Sequence, residues 1–139
     1  MVHTPETPPI QLSDAAIEFV REYHLATLTT LRRDGTPHVV AVGFTWDAEN
    51  GIARVITNDG SQKVRNVERD PARGYVSLCQ VQGPRWLTLE GPARIARDAE
   101  SVADAVSRYG ARYREPRVNP TRVVIEIAVT RMMGSTAVR

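Results

Sequence analysis

Alternating apolar and β-branched positions dominate this chain and predict strands joined by tight turns. The first strand is predicted over residues 25–31, where leucine and threonine recur. Asp-Gly at 34–35 and Asn-Gly at 50–51 predict hairpin turns, because these dipeptides readily adopt positive φ. The strand between them, about residues 37–46, is apolar at nearly every position, so we expect both of its faces to be covered.

Further strands are predicted over residues 52–57, 75–81, 85–97 and 123–130. A Gly-Pro pair at 91–92 falls inside the longest of them. Proline has no amide proton to donate to a neighbouring strand, so we expect a bulge or a bend at this pair.

In three stretches the apolar period changes to three or four residues, which predicts amphipathic helices. They begin after Ser13, Ser61 and Asp98, whose side chains can accept hydrogen bonds from the free amides of a first helical turn. The second helix should end at 70–71, where aspartate precedes proline. The expected buried stripes are Ala16, Ile17, Val20 and Tyr23 in the first helix, Val64 and Val67 in the second, and Val102, Val106, Tyr109 and Tyr113 in the third.

Six strands joined mainly by hairpins predict a mainly β fold with short helices, in which an antiparallel sheet closes or nearly closes into a small barrel. The 139 residues suit one domain. We expect it to span residues 13–139, after a disordered tail over 1–12. A small barrel is filled by its own side chains, so a binding site should lie outside it, in a groove shared with a second subunit.

Composition and charge narrow the possible functions. The chain has 18 basic and 16 acidic residues with mixed signs, which disfavours nucleic-acid binding. There is no membrane-length apolar run and no secretory signal, so we expect a cytoplasmic protein. Cys79 is interpreted as a packed, reduced thiol. The histidines at 3, 24 and 38 are scattered, which favours neither a zinc site nor another metal site, and no nucleophile motif is present.

One basic residue is unusual. Lys63 is the only lysine among the 18 basic residues, and it follows Gly60-Ser61-Gln62 where a strand ends and a helix begins. Free amides at a helix start, together with a compact ammonium group, suit a phosphate. The residues alone leave a second interpretation open, namely an ordinary capped helix with solvated charges.

Several segments together resemble a known family. The run from Leu28 to Val40, followed by Arg54–Thr57 and Gly60–Lys63, resembles the split β-barrel flavin and deazaflavin oxidoreductases, the pyridoxamine-phosphate-oxidase-like proteins. Arg85-Trp86-Leu87 and the stretch 113–126 extend the resemblance, which covers roughly residues 13–130. Within this family the chain is most similar to the branch of coenzyme F420-dependent biliverdin reductases.

The resemblance implies a homodimer with two cofactor grooves at the subunit interface and a six-stranded split β-barrel. It implies that the coenzyme phosphate is held by Ser61, Gln62 and Lys63. The deazaflavin would run along Arg54, Val55, Ile56 and Thr57, with Pro37, His38, Val39 and Val40 nearby, and Trp86 from the partner chain would cover the ring. The hydride would be carried by the cofactor, so no catalytic protein residue is implied.

The resemblance also implies a conjugated acceptor, with biliverdin reduced to bilirubin as the favoured reaction. The propionates of such a tetrapyrrole need cations, for which Arg85 and Arg114 are the candidate substrate-binding residues. The arginines at 112, 117 and 122 are further candidates, and any of these cations could instead meet the polyglutamate tail of the coenzyme. Two alternatives stay open: an FMN-dependent oxidoreductase of the same fold, and a non-catalytic protein that binds F420 or a haem-type ligand through His38.

Overall fold

The computed structural model describes residues 8–70 and 74–139, which form eight strands and three helices. Pro71, predicted to end the second helix, lies outside the described residues. The strands are β1 (Ala26–Leu31), β2 (Pro37–Val42), β3 (Thr45–Asp47), β4 (Ile52–Asn58), β5 (Tyr75–Gln82), β6 (Arg85–Ala96), β7 (Arg122–Ala128) and β8 (Arg131–Gly134). The helices are α1 (Asp14–Arg21), α2 (Gln62–Arg69) and α3 (Ala99–Arg112).

The strands form one antiparallel sheet in the order β2-β1-β5-β6-β7-β4-β3, and β8 pairs with β6. The mainly β, antiparallel fold with short helices is therefore as predicted, but the number of six strands was wrong. The sheet is not closed, because β2 and β3 lie at its two ends without pairing to each other. This gap positions the candidate site described below.

One correction concerns the predicted strand 37–46, which is two strands. It breaks at Gly43, where a Cβ atom would lie 2.9 Å from the ring of Tyr109 and 3.0 Å from that of Tyr113. The Tyr113 hydroxyl accepts a hydrogen bond from the Phe44 amide at 3.3 Å. The two rings pack against the backbone here, and the chain leaves β1 to pair with β4 instead.

The predicted bend in the long strand β6 is present at Gly91. A Cβ atom there would lie 2.0 Å from the carbonyl oxygen of Ala128, so only glycine permits the close approach of β7. Before the bend β6 pairs with β5 and β8, and after it β6 pairs with β7. The sequence analysis missed β8, which continues along the edge of β6 after a short break at 129–130.

The helices begin where predicted. Ser13 accepts a hydrogen bond from the Ala16 amide at 3.1 Å, and Asp98 accepts one from the Ser101 amide at 3.0 Å. The predicted stripes need correction. Phe19 is buried whereas Tyr23 is 64% exposed, because α1 ends at Arg21 before Tyr23 is reached. On α3 only Ala105 is fully buried, and the four predicted residues lie at its sides or its end.

The core lies between α1 and the inner face of the sheet. Its largest fully buried side chains include those of Phe19, Phe44, Leu28, Leu78, Leu87, Leu89, Ile125 and Ile127. Packing extends into the stretch assigned to the tail, because Leu12 is buried and Ile10 packs against the core. None of the described helices is long and apolar enough to cross a membrane.

Candidate functional site

A cleft lies at the gap in the sheet, between two unpaired strand edges. β2 pairs with β1 on one side only, and β3 pairs with β4 only as far as Arg54. From Val55 to Asn58, no strand in the described part of the chain pairs with that edge of β4. Unpaired edges leave backbone donors and acceptors free, so they suit a flat ligand with polar atoms along its rim.

The cleft has a volume of about 260 Å³ and collects residues from five parts of the chain. Its lining comprises Ala41, Val42 and Gly43 at the end of β2, Ile56, Thr57 and Asn58 of β4, Lys63 of α2, Tyr109 of α3, and Pro116, Asn119 and Arg122. Ligand pockets commonly measure about 300–1,000 Å³. A cofactor-sized molecule would therefore extend beyond this cleft.

The ammonium group of Lys63 has no partner. Within residues 8–70 and 74–139 it makes neither a hydrogen bond nor an ion pair, although partial burial lowers its pKa. A half-buried charge without a partner is costly, so it favours an anion beside it. The lysine that composition singled out therefore points to an anion site at one end of the cleft.

The N-terminus of α2 is the second feature of this anion site. Ser61 occupies the cap position, but its hydroxyl does not cap the helix and lies 3.4 Å from the hydroxyl of Thr57. The preceding Gly60 has φ of +82°, a turn conformation that glycine adopts without strain. The first amides of α2 thus lack a side-chain acceptor, and they add positive potential where Lys63 stands.

A hydrogen-bond chain fixes α2 against the sheet. Gln62 donates to Asn66 at 2.7 Å, and Asn66 donates to the hydroxyl of Thr30 on β1 at 2.9 Å. His38 lies opposite Thr30 on β2, and its Nδ1 atom is buried without a hydrogen-bond partner in the described chain. Burial, and then the charges of Arg32 and Lys63, lower the pKa of His38, which favours the neutral imidazole.

A basic cleft adjoins the first. It has a volume of about 570 Å³, and it shares Tyr109, Pro116, Asn119 and Arg122 with the Lys63 cleft. Its further lining is Arg114, Glu115, Arg117 and Val118. Neither Arg114 nor Arg117 has a carboxylate partner among the residues described. The two clefts together offer four cations to an extended anion.

Some predicted site residues are engaged elsewhere. The guanidinium of Arg54 lies 2.8 Å from Asp47 and 3.7 Å from Glu126, and Arg54 is not part of the cleft lining. Val55 is buried in the core. Arg85 donates to both carboxylate oxygens of Glu22 at 2.8 Å, and this hydrogen bonding lowers the pKa of Glu22 to about 2. Because Arg85 is already paired with Glu22, it is less available than Arg114 to bind an anionic substrate.

The face of the sheet opposite the core carries the side chains of Pro37, Val39 and Trp86. Among the described residues, five of the eight exposed large hydrophobic side chains lie on this face: Val39, Tyr75, Val81, Trp86 and Met133. Exposed apolar side chains gathered on one face are typical of a surface that binds another protein. We call these five residues the outer sheet face. Trp86 is not part of the Lys63 cleft lining within the same chain.

The sequence analysis missed several lining residues. Tyr109 was assigned to a buried helix stripe, yet it lines both clefts. Its hydroxyl forms no hydrogen bond with the described residues. Asn58 and Asn119 were not singled out either. The glycine at 43 in an otherwise apolar strand was the one available signal, because it marks where the two tyrosine rings approach the backbone.

A third cavity, of about 430 Å³, lies between α1, β3 and α3 and contains none of the predicted site residues. Cys79 is half-buried on β5, as expected for a packed thiol. Among the residues that the structure describes, no group of three His, Cys, Asp or Glu side chains is placed to hold a metal ion.

Comparisons with known proteins add to this geometry. Residues 12–134 match the family described as pyridoxamine 5'-phosphate oxidase. The chain is 56% identical over 125 residues to F420H(2)-dependent biliverdin reductase of Mycobacterium tuberculosis (strain CDC 1551 / Oshkosh), covering 90% of this chain and 89% of that protein.

Two solved structures are also similar. The first is a conserved hypothetical protein from Mycobacterium tuberculosis, with 27% identity, a TM-score of 0.74, and coverage of 94% of this chain and 89% of that one. The second is an F420 reductase, with 26% identity, a TM-score of 0.70, and coverage of 88% and 98%.

Proposed function

The chain belongs to the pyridoxamine 5'-phosphate oxidase family, and on this basis we propose that it is a coenzyme F420H2-dependent reductase whose acceptor is biliverdin, reduced to bilirubin. The observation that carries the proposal is the unpartnered Lys63 at the uncapped start of α2, in a cleft between two unpaired strand edges. A 56% identical relative with this named activity supports the cofactor and the acceptor.

The residues present fit the phosphate of such a coenzyme. Within the described chain the Lys63 ammonium and the first amides of α2 have no side-chain partner, and the Ser61 hydroxyl makes only a long contact of 3.4 Å with the Thr57 hydroxyl; all of them favour an anion. Gln62 is less available, because its amide group is already bonded to Asn66 and its carbonyl oxygen accepts from Arg65. We therefore assign the phosphate to Ser61 and Lys63, with Gln62 orienting α2.

The ring system would lie along the cleft. The backbone of β4 from Val55 to Thr57 provides free polar groups on one side, and the end of β2 provides them on the other. Ile56 and Tyr109 supply apolar and aromatic surface. When bound, reduced coenzyme F420 supplies a hydride to the conjugated acceptor, and the protein binds and orients both molecules.

We propose that the protein is a homodimer formed through the outer sheet face. The apolar character of this face and its sparse charges favour burial against a second copy. Such pairing would bring Trp86 of the partner subunit to the open side of the Lys63 cleft and complete it. We place the protein in the cytoplasm, where its single cysteine would stay reduced.

The basic cleft favours coenzyme F420 over FMN. Arg114, Arg117 and Arg122 line it, and FMN has no anionic group beyond its phosphate to meet them. The polyglutamate tail of F420 carries several carboxylates, and the propionates of biliverdin are the other candidates for these cations. Arg112 is not among them, because it donates to the carbonyl oxygens of Glu22 and His24 inside the protein.

The proposal is tested by titrating the purified protein with coenzyme F420 and, separately, with FMN, following ligand fluorescence. Tighter binding of F420, followed by oxidation of F420H2 only when biliverdin is added, is the expected result. Binding of FMN alone would assign the protein to the flavin-dependent members. Binding of F420 without turnover of biliverdin or other conjugated acceptors would favour a non-catalytic role.

A further inference from the structure

Arg97 makes four hydrogen bonds to two carboxylates. It follows directly on β6, and its Nε and Nη2 atoms donate to the two carboxylate oxygens of Asp59 at 3.0 and 2.9 Å. Its Nη2 and Nη1 atoms also donate to the two oxygens of Glu68, the first at 2.7 Å. Planar, bidentate arrangements of this kind fix geometry more strictly than single ion pairs do.

The two carboxylates lie at opposite ends of residues 59–68, the segment that contains Ser61 and Lys63. Asp59 immediately precedes Gly60 and the start of α2, and Glu68 lies in the last turn of the same helix. One guanidinium group therefore ties both ends of a short helix to the end of β6. Between these two points lie Ser61 and Lys63, which we assign to the phosphate.

The same segment is held independently from the other side. The backbone amide of Asp59 donates to the carbonyl oxygen of Thr121 at 2.8 Å, and the side chain of Asn119 donates to that of Asn58. Asn58 and Asn119 border the cleft, whereas Arg97 is not part of its lining. Arg97 thus acts on the segment without reaching a ligand in the cleft.

We propose that Arg97 is a positioning residue, which sets the place of Lys63 and of the α2 N-terminus for binding the coenzyme phosphate. The inference rests on the proposed function, because it presumes a phosphate at Lys63. It goes beyond that function by assigning a role to a side chain that touches neither cofactor nor acceptor.

Charge balance is a second reason for this arrangement. Asp59 and Glu68 would repel an anion bound at the start of α2, and Arg97 offsets part of their negative charge. Hydrogen bonding to Arg97 lowers the pKa of both carboxyl groups, so both stay ionised near neutral pH. Loss of Arg97 would leave two unbalanced carboxylates beside the phosphate and would release the helix from the sheet.

The test is a double-mutant cycle on coenzyme binding. The dissociation constant of F420 is measured by fluorescence for the wild type, Arg97→Met, Lys63→Ala and the double variant. Arg97→Met is expected to raise the constant about fivefold in the wild type and less than about twofold when Lys63 is already absent. Arg97→Lys, which can reach one carboxylate at a time, should give an intermediate value.

Arg94→Met is the matched control, because Arg94 lies on β6 near Arg97 and pairs with Glu126 rather than with residues of α2. Its F420 constant should stay within about twofold of the wild-type value. A purely structural role for Arg97 would give equal losses in the wild-type and Lys63→Ala backgrounds, together with a lowered Tm, and would overturn the proposal. So would unchanged binding by Arg97→Met.

These outcomes distinguish an error in the role of Arg97 from an error in the proposed function. If the wild type binds F420 and Lys63→Ala weakens binding while Arg97→Met does not, the role of Arg97 is wrong and the proposed function stands. If the wild type does not bind F420 at all, both are wrong, because no phosphate would be there to position.

Discussion

Lys63 and Arg122 line the same cleft, although one lies on α2 and the other begins β7. They are brought together because β7 pairs with β4 along its whole length, and the loop after β4 leads into α2. The backbone hydrogen bond from Asp59 to Thr121 fixes this approach. Two cations that face one cleft repel each other, so the arrangement is most stable with an anion between them.

Replacing Lys63 by alanine is expected to weaken coenzyme F420 binding at least tenfold, about 1.4 kcal/mol, because a charged contact to the phosphate is lost. The change is measured as a dissociation constant by fluorescence titration. Arg21→Ala is a suitable control, since Arg21 is an exposed cation far from the cleft lining. Equal affinity of the wild type and Lys63→Ala would remove Lys63 from the site.

Replacing Arg114 and Arg117 together by serine is expected to raise the F420 dissociation constant about fivefold at low salt, and less at high salt, because exposed charge contacts are screened. FMN binding should change by less than about twofold, since FMN has no tail to meet these cations. A similar loss for both ligands would show that the basic cleft does not recognise the tail. The measurement is a pair of titrations at two ionic strengths.

Introducing a charge on the outer sheet face is expected to separate the proposed dimer. Val81 is 58% exposed opposite Trp86 on the neighbouring strand, so Val81→Glu would bury a carboxylate at the interface. Sedimentation velocity should show a dimer for the wild type and a monomer for this variant. Val118→Glu is the matched control, because Val118 is 99% exposed and lies in the loop after α3. A monomeric wild type would contradict the interface.

Arg112 is expected to be among the most important polar residues for stability. It donates to the carbonyl oxygens of Glu22, His24 and Phe44 and to the side chain of Gln80, which is itself buried. Arg112→Met would leave these acceptors unsatisfied.

We expect this variant to lower the free energy of unfolding by about 3 kcal/mol and the Tm by about 10 °C. Denaturant and thermal unfolding measure the change. Arg114→Met, which removes an exposed cation two residues away, should stay within about 0.5 kcal/mol of the wild type. Comparable stability of the two variants would contradict the role assigned to the hydrogen bonds of Arg112.

Asp47 is expected to make stability fall in acid. Burial opposes its charge, but hydrogen bonds from Asn50 and Arg54 outweigh burial and lower the pKa from 3.8 to about 2. A carboxyl group with a depressed pKa stabilises the fold above its unfolded pKa and loses that contribution as pH falls through the folded value. About 2 kcal/mol should therefore be lost between pH 4 and about 2.

Asp47→Asn tests this expectation, because asparagine is nearly isosteric and does not titrate. Its free energy of unfolding, measured in urea at several pH values, should be lower than that of the wild type at pH 6 and should approach it at pH 2. A difference that is independent of pH over this range would show that Asp47 does not contribute through its charge.

Much of the local structure could be predicted from the sequence. The turns at 34–35 and 50–51, the helix starts after Ser13, Ser61 and Asp98, and the bend at Gly91 depend on backbone conformation and capping over a few residues. Such preferences are encoded locally. The lone lysine was likewise visible in the composition.

Other features depended on contacts between distant residues. The break at Gly43 is imposed by tyrosine rings packed against the backbone, and β8 forms because β6 offers an edge before its bend. The side chain of Arg54, placed beside the cofactor by the sequence analysis, is held by Asp47 and Glu126. No local pattern encodes which buried carboxylate lies nearest to an arginine.

The sequence by itself determined the strand periodicity, the turns, the helix starts and the presence of one lysine beside a helix N-terminus, because these follow from the residue types and their spacing. Only the tertiary structure decided that the sheet stays open and that Tyr109 and Arg122 join Lys63 at the gap. It also decided that Arg85 and Arg112 are engaged within the protein. Those outcomes depend on the packing of α3 against the sheet and on the pairing of β7 with β4, which bring together residues far apart in the chain.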